Sequence, residues 1–193
     1  DTALVAVEDI GLSADGWFTD ADDSVIRTLF KLYPLEFMME EEFGPALVTN
    51  TMQLLEPPWK AVLSNKGILP LLWERHRGHP NLLEARFEAR RGEAPAPGFV
   101  RKPLFSREGA NIDIATAAGE RISTPGPYGD GPGILQAYHP LPRFDGNYPL
   151  VGSWIVADRA CGMGVREDAT LVTQDTSRFV PHAIVDDGTG RVA

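Results

Sequence analysis

Near residue 98 the hydrophobic pattern of the chain changes period. Upstream of the Pro-, Gly- and Ala-rich stretch RFEARRGEAPAPG, residues 86–98, apolar side chains recur at helical spacing; downstream they alternate with polar ones at every second position. Helices first and hairpins afterwards indicate an α+β fold with mainly antiparallel sheets, because alternating strands and helices would be needed for a parallel one.

The details follow the same two periods. Val25, Ile26, Leu29, Phe30 and Leu32 fall on one helical face behind the capping residues of TDADDS, and Pro34 divides VIRTLFKLYPLEFMMEEEF into two short predicted helices. After a turn at Pro57-Pro58, a helix is predicted over 67–77, with Pro70 in its first turn and its end at Gly78 before His79-Pro80. Strands are predicted at 99–104 and 111–116 around the turn SREGA, then at 133–137, 148–157, 162–165 and 170–173, the last two separated by Glu167-Asp168.

Composition narrows the partners. With 43% hydrophobic residues over 193, the chain can bury a core. Its 27 acidic against 18 basic residues give a net charge of −9, which opposes nonspecific nucleic-acid binding. Cys161 is the only cysteine, so no intramolecular disulfide forms, and its setting reads as a packed core thiol. Trp17, Trp59, Trp73 and Trp154 read as core. No apolar run approaches a membrane span and DTALVAVEDI lacks a basic leader segment, so the expected location is cytoplasmic.

Against this acidic background, FVRKPLFSREGANIDIA, residues 99–115, carries three basic residues around a glycine turn. Alternation puts Lys102 on the face of Val100 and Leu104, where a buried ammonium needs an anionic partner. The loop Ser106-Arg107-Glu108-Gly109-Ala110 has small residues that allow backbone N–H groups to approach a phosphate. A second cation, Lys66, stands at the start of the helix after Ser64-Asn65, where free N–H groups favour an anion. On spacing alone, a solvated hairpin with a snorkelling lysine is the commoner reading of the first, and a surface lysine of the second.

The motifs taken together are more specific. PPWKAVLSNKGILPLLW, VRKPLFSREGANI, LQAYHPLPRFDGNYPLVGSW and GVREDATLVTQDTSRFVPH, in that order, resemble the ATP-grasp part of the glutathionylspermidine synthase family. The resemblance covers about residues 16–185, includes FKLYPLEFM, and is closest to stand-alone, synthetase-only members. It implies an ATP-grasp-like architecture: a substrate-side segment at 1–59, a first lobe with a phosphate-lid hairpin at 60–135 and a second lobe at 136–193, with a nucleotide cleft between the lobes.

It also implies roles. Lys66 and Lys102 match lysines that hold nucleotide phosphates, and Ser106 to Asn111, including Gly109, match a flexible lid over them. Gln136, Ala137 and Tyr138 match the hinge that contacts adenine through backbone groups. Arg107 and Arg166 match arginines that hold the acyl substrate and the charge developing in transfer, and Glu36 falls in the substrate region. The implied activity is an ATP- and Mg2+-dependent carboxylate–amine ligase working through an acyl-phosphate, with a glutathione-like acid and a polyamine-like amine as small-molecule partners.

One part of the family pattern is missing. Its magnesium ligands lie on an acidic Glu-x-Asn-type segment upstream of the lysines, and nothing before residue 60 reproduces it. Glu167, Asp168 and Asp113 are carboxylates near the expected site, but each has a turn or surface explanation, so the metal ligands stay unassigned. Together with Asp1 in place of a methionine, this leads to the expectation that the chain is a C-terminal portion whose N-terminal half is missing. A second reading follows, in which the chain is a nucleotide-binding module that turns nothing over.

Overall fold

The computed structural model describes residues 2–49, 52–129 and 131–185. Asp1 and residues 186–193, which the sequence assigned to the ends of the first segment and the second lobe, lie outside them. The chain divides between Asn65 and Lys66 into two compact units.

In the first unit, β1 (Gly11–Leu12) pairs antiparallel with β2 (Phe18–Thr19), and β3 (Thr28–Phe30) pairs in parallel with β4 (Gln53–Leu55). Between β3 and β4 lies the one-turn helix α1 (Leu35–Met38), and α2 (Ala61–Ser64) follows β4. Phe18, Leu35, Met38 and Phe43 form the core, with the Phe18 and Phe43 rings edge to face at 5.7 Å. Burying such a side chain is worth roughly 2 kcal/mol.

The helix predicted before Pro34 does not form. Leu29 is half-buried while Thr28 and Phe30 are exposed, the alternation of a strand, and pairing with Leu54 in β4 engages that backbone instead. Helix formation survives only after Pro34, whose fixed φ suits the N-terminal end of α1.

The second unit begins with α3 (Ile68–Arg75), which carries Pro70 in its first turn as expected. Five strands then build an antiparallel sheet: β5 (Ala85–Phe87), β6 (Phe99–Pro103), β7 (Asp113–Ala115), β8 (Arg121–Ser123) and β9 (Gly133–Ala137), in the order β5-β9-β6-β7-β8. β9 lies between β5 and β6, paired on both edges, and its residues Gly133 to Gln136 are all buried. Residues 135 and 136, between which the sequence placed the lobe junction, are neighbours in this strand. A second antiparallel sheet holds β10 (Tyr148–Val156), β11 (Arg159–Asp168) and β12 (Arg178–Val180), with a register shift at Trp154/Ile155.

Further expectations need correction. The linker 86–98 is partly ordered: β5 takes its first two residues, and Glu93 accepts hydrogen bonds from Arg86 and the Ala89 N–H. Glycines interrupt the alternation at 162 and 164, yet β11 is one long strand, and 170–173 form no strand. Cys161 and Trp154 are exposed because β10 and β11 turn both faces to solvent over residues 151–163, and in the first unit Trp17 and Trp59 are exposed as well. Among the described residues, no helix is long and apolar enough to cross a membrane.

Candidate anion-binding site

The register of the five-stranded sheet sorts the basic residues. Val100 pairs with Gln136 and Ile114, and Lys102 with Ile134, so Val100, Lys102, Ile114, Ile134 and Gln136 share one face. Val172 and Leu171, from the segment after β11, pack on this face with Ile112, Ile122 and Tyr138. Arg101 and Asp113, a register pair, occupy the opposite face.

Lys102 is therefore on an apolar face, as its spacing predicts. Its Nζ donates to Gln136 Oε1 at 2.8 Å, and among the described residues no carboxylate pairs with it. Burial pushes the Lys102 ammonium below its ordinary pKa, because the charged form loses water; its hydrogen-bond partner among the described residues is a neutral amide oxygen. Such a cation is strengthened by an arriving anion.

Arg101, directly beside it in sequence, contrasts sharply. Its Nε donates to Glu88 Oε2 at 2.9 Å and its Nη2 to the Gly131 carbonyl at 3.1 Å, while Glu88 Oε1 accepts the Gly133 N–H at 2.9 Å. Both side chains are only 5% exposed. The charge of Arg101 is spent within the fold, on holding the turn that enters β9.

Lys66 stands just before α3. Its N–H donates to the Leu104 carbonyl at 2.9 Å and its Nζ to the Ser106 carbonyl at 2.6 Å, so it joins the strand carrying Lys102 at the point where the loop begins.

The loop 106–111 is tied on several sides. The Ala110 N–H donates to the Arg107 carbonyl, the Thr124 hydroxyl to the Gly109 carbonyl, and the Tyr128 N–H to Asn111 Oδ1 at 2.8 Å. Gly109 has φ +73°, and a Cβ there would stand 2.6 Å from both the Thr173 carbonyl oxygen and Val172 Cγ1, so only glycine fits. Arg107, Gly109 and Ala110 line a cavity of about 290 Å³ with Thr124, Tyr128 and Gln174.

The remaining candidates are dispersed. Ala137 and Tyr138 donate their N–H groups to the Glu84 and Gly98 carbonyls, at 2.7 and 2.8 Å, so these two donors are engaged within the fold. Arg166 stands on β11, in the other sheet, with its guanidinium 6.0 Å from the centre of the cross-strand Phe179 ring. Glu36 is in α1 of the first unit. Asp113 lies on the sheet face opposite Lys102, Glu167 pairs with Arg178 at 2.5 Å, and Asp168 accepts from the Thr170 N–H and the Thr170 and Ser177 hydroxyls. Those bonds, the Ser177 one foremost, hold the Asp168 carboxyl below its usual pKa. Among the described residues, no three His, Cys, Asp or Glu side chains gather as a metal site.

Sequence reasoning missed Thr124 and Tyr128. The signal available was the turn-rich TPGPYG between two strands, which resembles an ordinary connection until the loop is found against it.

The family model described as glutathionylspermidine synthase preATP-grasp matches residues 1–185 of this chain. The chain belongs to the glutathionylspermidine synthase family. Among curated family relatives, a candidate acid–amine ligase of Haemophilus influenzae is 44% identical over 191 residues, which are 94% of this chain and 48% of that protein. Trypanothione synthetase of Crithidia fasciculata is 29% identical, over 91% of this chain and 30% of its own length. The bifunctional glutathionylspermidine synthetase/amidase of Escherichia coli is 26% identical, over 94% and 33%. The chain thus spans half or less of these relatives.

Proposed function

We propose that this chain supplies the phosphate-handling part of an ATP- and magnesium-dependent carboxylate–amine ligase, with an ATP-grasp-like nucleotide cleft between residues 60–135 and 136–193. The observation that carries the reading is Lys102: a cation on an apolar sheet face, desolvated, and paired with a neutral oxygen. A triphosphate fits that donor, because it brings a negative charge that none of the described carboxylates supplies to it.

ATP, when bound, supplies the phosphoryl group that converts a poorly electrophilic carboxylate into an acyl-phosphate for an amine to attack. The work left to the chain is positioning and charge stabilisation. Lys102 and Lys66 hold the phosphates, and the backbone of Ser106 to Asn111 closes over them. Arg107 and Arg166 hold the acyl substrate and the charge that develops on transfer. Gln136, Ala137 and Tyr138 border the base, and Glu36 serves the substrate side. Among the described residues no three His, Cys, Asp or Glu side chains gather as a metal site, and the magnesium ligands stay unassigned.

The names of the relatives favour a glutathione-like peptide as the acid and a polyamine-like amine. The test is ADP release by the full-length protein containing this chain, with such acid and amine pairs, before and after Lys102→Met. Turnover that the substitution abolishes supports the ligase. ATP binding without ADP formation in any pair would favour a nucleotide-binding module, and unchanged turnover in the variant would remove the phosphate role.

A further inference from the structure

The loop 106–111 contains two non-glycine residues in the left-handed region, Glu108 and Asn111, both with φ 54°. That conformation is disfavoured for residues with a Cβ, so something outside the loop must hold it. The holding groups lie in one segment. Thr124 Oγ1 accepts the Ile112 N–H at 2.9 Å and directs its own proton to the Gly109 carbonyl; the Ile112 carbonyl, at 3.4 Å, is the more distant acceptor. The Thr124 N–H donates back to the Ile112 carbonyl at 3.0 Å.

Two residues further on, Gly126 packs against the same loop so closely that a Cβ would stand 2.4 Å from Asn111 Oδ1 and 2.6 Å from Ala110 Cβ. That oxygen accepts the Tyr128 N–H. On the other side, the Thr173 carbonyl and Val172 close on Gly109. The loop is thereby clasped between residues 124–128 and 172–173.

We propose that Thr124 is the positioning residue of this loop, the group that, through Gly109 and Ile112, sets where the backbone of residues 107–111 meets the ligand. Asn111 belongs to the same clasp: its side-chain oxygen accepts the Tyr128 N–H, so it shapes the loop from within. The proposal rests on the reading of this loop as part of the phosphate site, and it adds to that site Thr124, which acts on the loop and not on the nucleotide.

The experiment compares Thr124→Val, which keeps the shape and loses both hydroxyl bonds, with Thr124→Ser, which keeps them. Both are made in the full-length protein. Hydrogen exchange is followed without nucleotide at Ile112 and Tyr128, with Val100 and Leu135 in the sheet as internal controls. Exchange at Ile112 should accelerate by about tenfold in the Val variant, the loss of one to two net hydrogen bonds, with the sheet unchanged and the Ser variant close to wild type. The KM for ATP should rise by a similar factor in Thr124→Val with kcat little altered, and return in Thr124→Ser.

Unchanged exchange at Ile112 in Thr124→Val would overturn the clasp, as would a Ser variant no better than Val. Equal acceleration in loop and sheet would mean a general loss of stability and also overturn it. The exchange measurement needs no nucleotide, so it separates failure of the clasp from failure of the ligase reading, which shows instead as a wild-type protein that does not bind ATP.

Discussion

The Lys66 ammonium donates to the Ser106 carbonyl at 2.6 Å, across 40 residues of sequence. Since the Lys66 N–H also bonds the Leu104 carbonyl, one residue fixes both the start of the loop and the end of the strand that bears Lys102. Replacing Lys66 by Met should lower ATP affinity by about tenfold, the worth of a charged hydrogen bond, and Lys66→Arg should recover part of it. Titration calorimetry on the full-length protein reads both; equal affinities in all three would show that the link carries no function.

On the proposed reading, Lys102 costs the fold stability that a bound anion restores. Its folded pKa is lowered by burial from 10.5, so below the folded value the unfolded and folded chains are both protonated and the cost is fully present. Between the folded value and 10.5 the unfolded chain binds more protons, and stability rises with pH. Lys102→Met should accordingly be at least as stable as wild type in urea at pH 7, and the difference between them should shrink as pH rises through that window. A variant clearly less stable at pH 7 would mean that Lys102 is satisfied by the fold alone.

The buried pair Arg101–Glu88 carries the opposite expectation. Each partner is 5% exposed, and removal of either leaves a buried charge. Arg101→Met or Glu88→Gln alone should cost about 3–5 kcal/mol, with the double replacement costing less than the sum. Urea unfolding of the four proteins measures it; additive losses would show the pair to be energetically independent.

An acid-sensitive turn lies nearby. The Arg86 hydrogen bond, then the Ala89 N–H, lowers the Glu93 carboxyl from 4.5 to about 2. A depressed carboxyl stabilises the fold above its unfolded pKa and loses that effect as pH falls through the folded one. The Tm advantage of wild type over Glu93→Gln should therefore hold above pH 4.5 and disappear as pH approaches 2. A gap that does not change between those values would contradict the assignment.

What is legible in the sequence divides along the range of the interactions involved. β6, β7, β9 and β10 were legible because alternation and turn residues lie within each strand, and α3 because its stop signals do. β3 was not, because a short apolar run suits helix and strand alike and the partner that decides, β4, is over twenty residues away. The same holds at the site. The face of Lys102 follows from local alternation, while the neutrality of its partner Gln136, the capture of Ser106 by Lys66 and the Thr124 clasp arise from chain reversals that no window of sequence contains. Exposed Trp154 and Cys161 were misread for a related reason: apolar composition does not say whether a hairpin has anything packed on it.

The central claim is that Lys102, which no carboxylate among the described residues pairs with, receives a phosphate. Calorimetric titration of the full-length protein with magnesium-ATP, in wild type and Lys102→Met, tests this most directly. The account predicts binding by wild type, affinity lowered about 100-fold or more in the variant, and an unimpaired Tm in the absence of ligand. Equal affinity of the two proteins for ATP would contradict it.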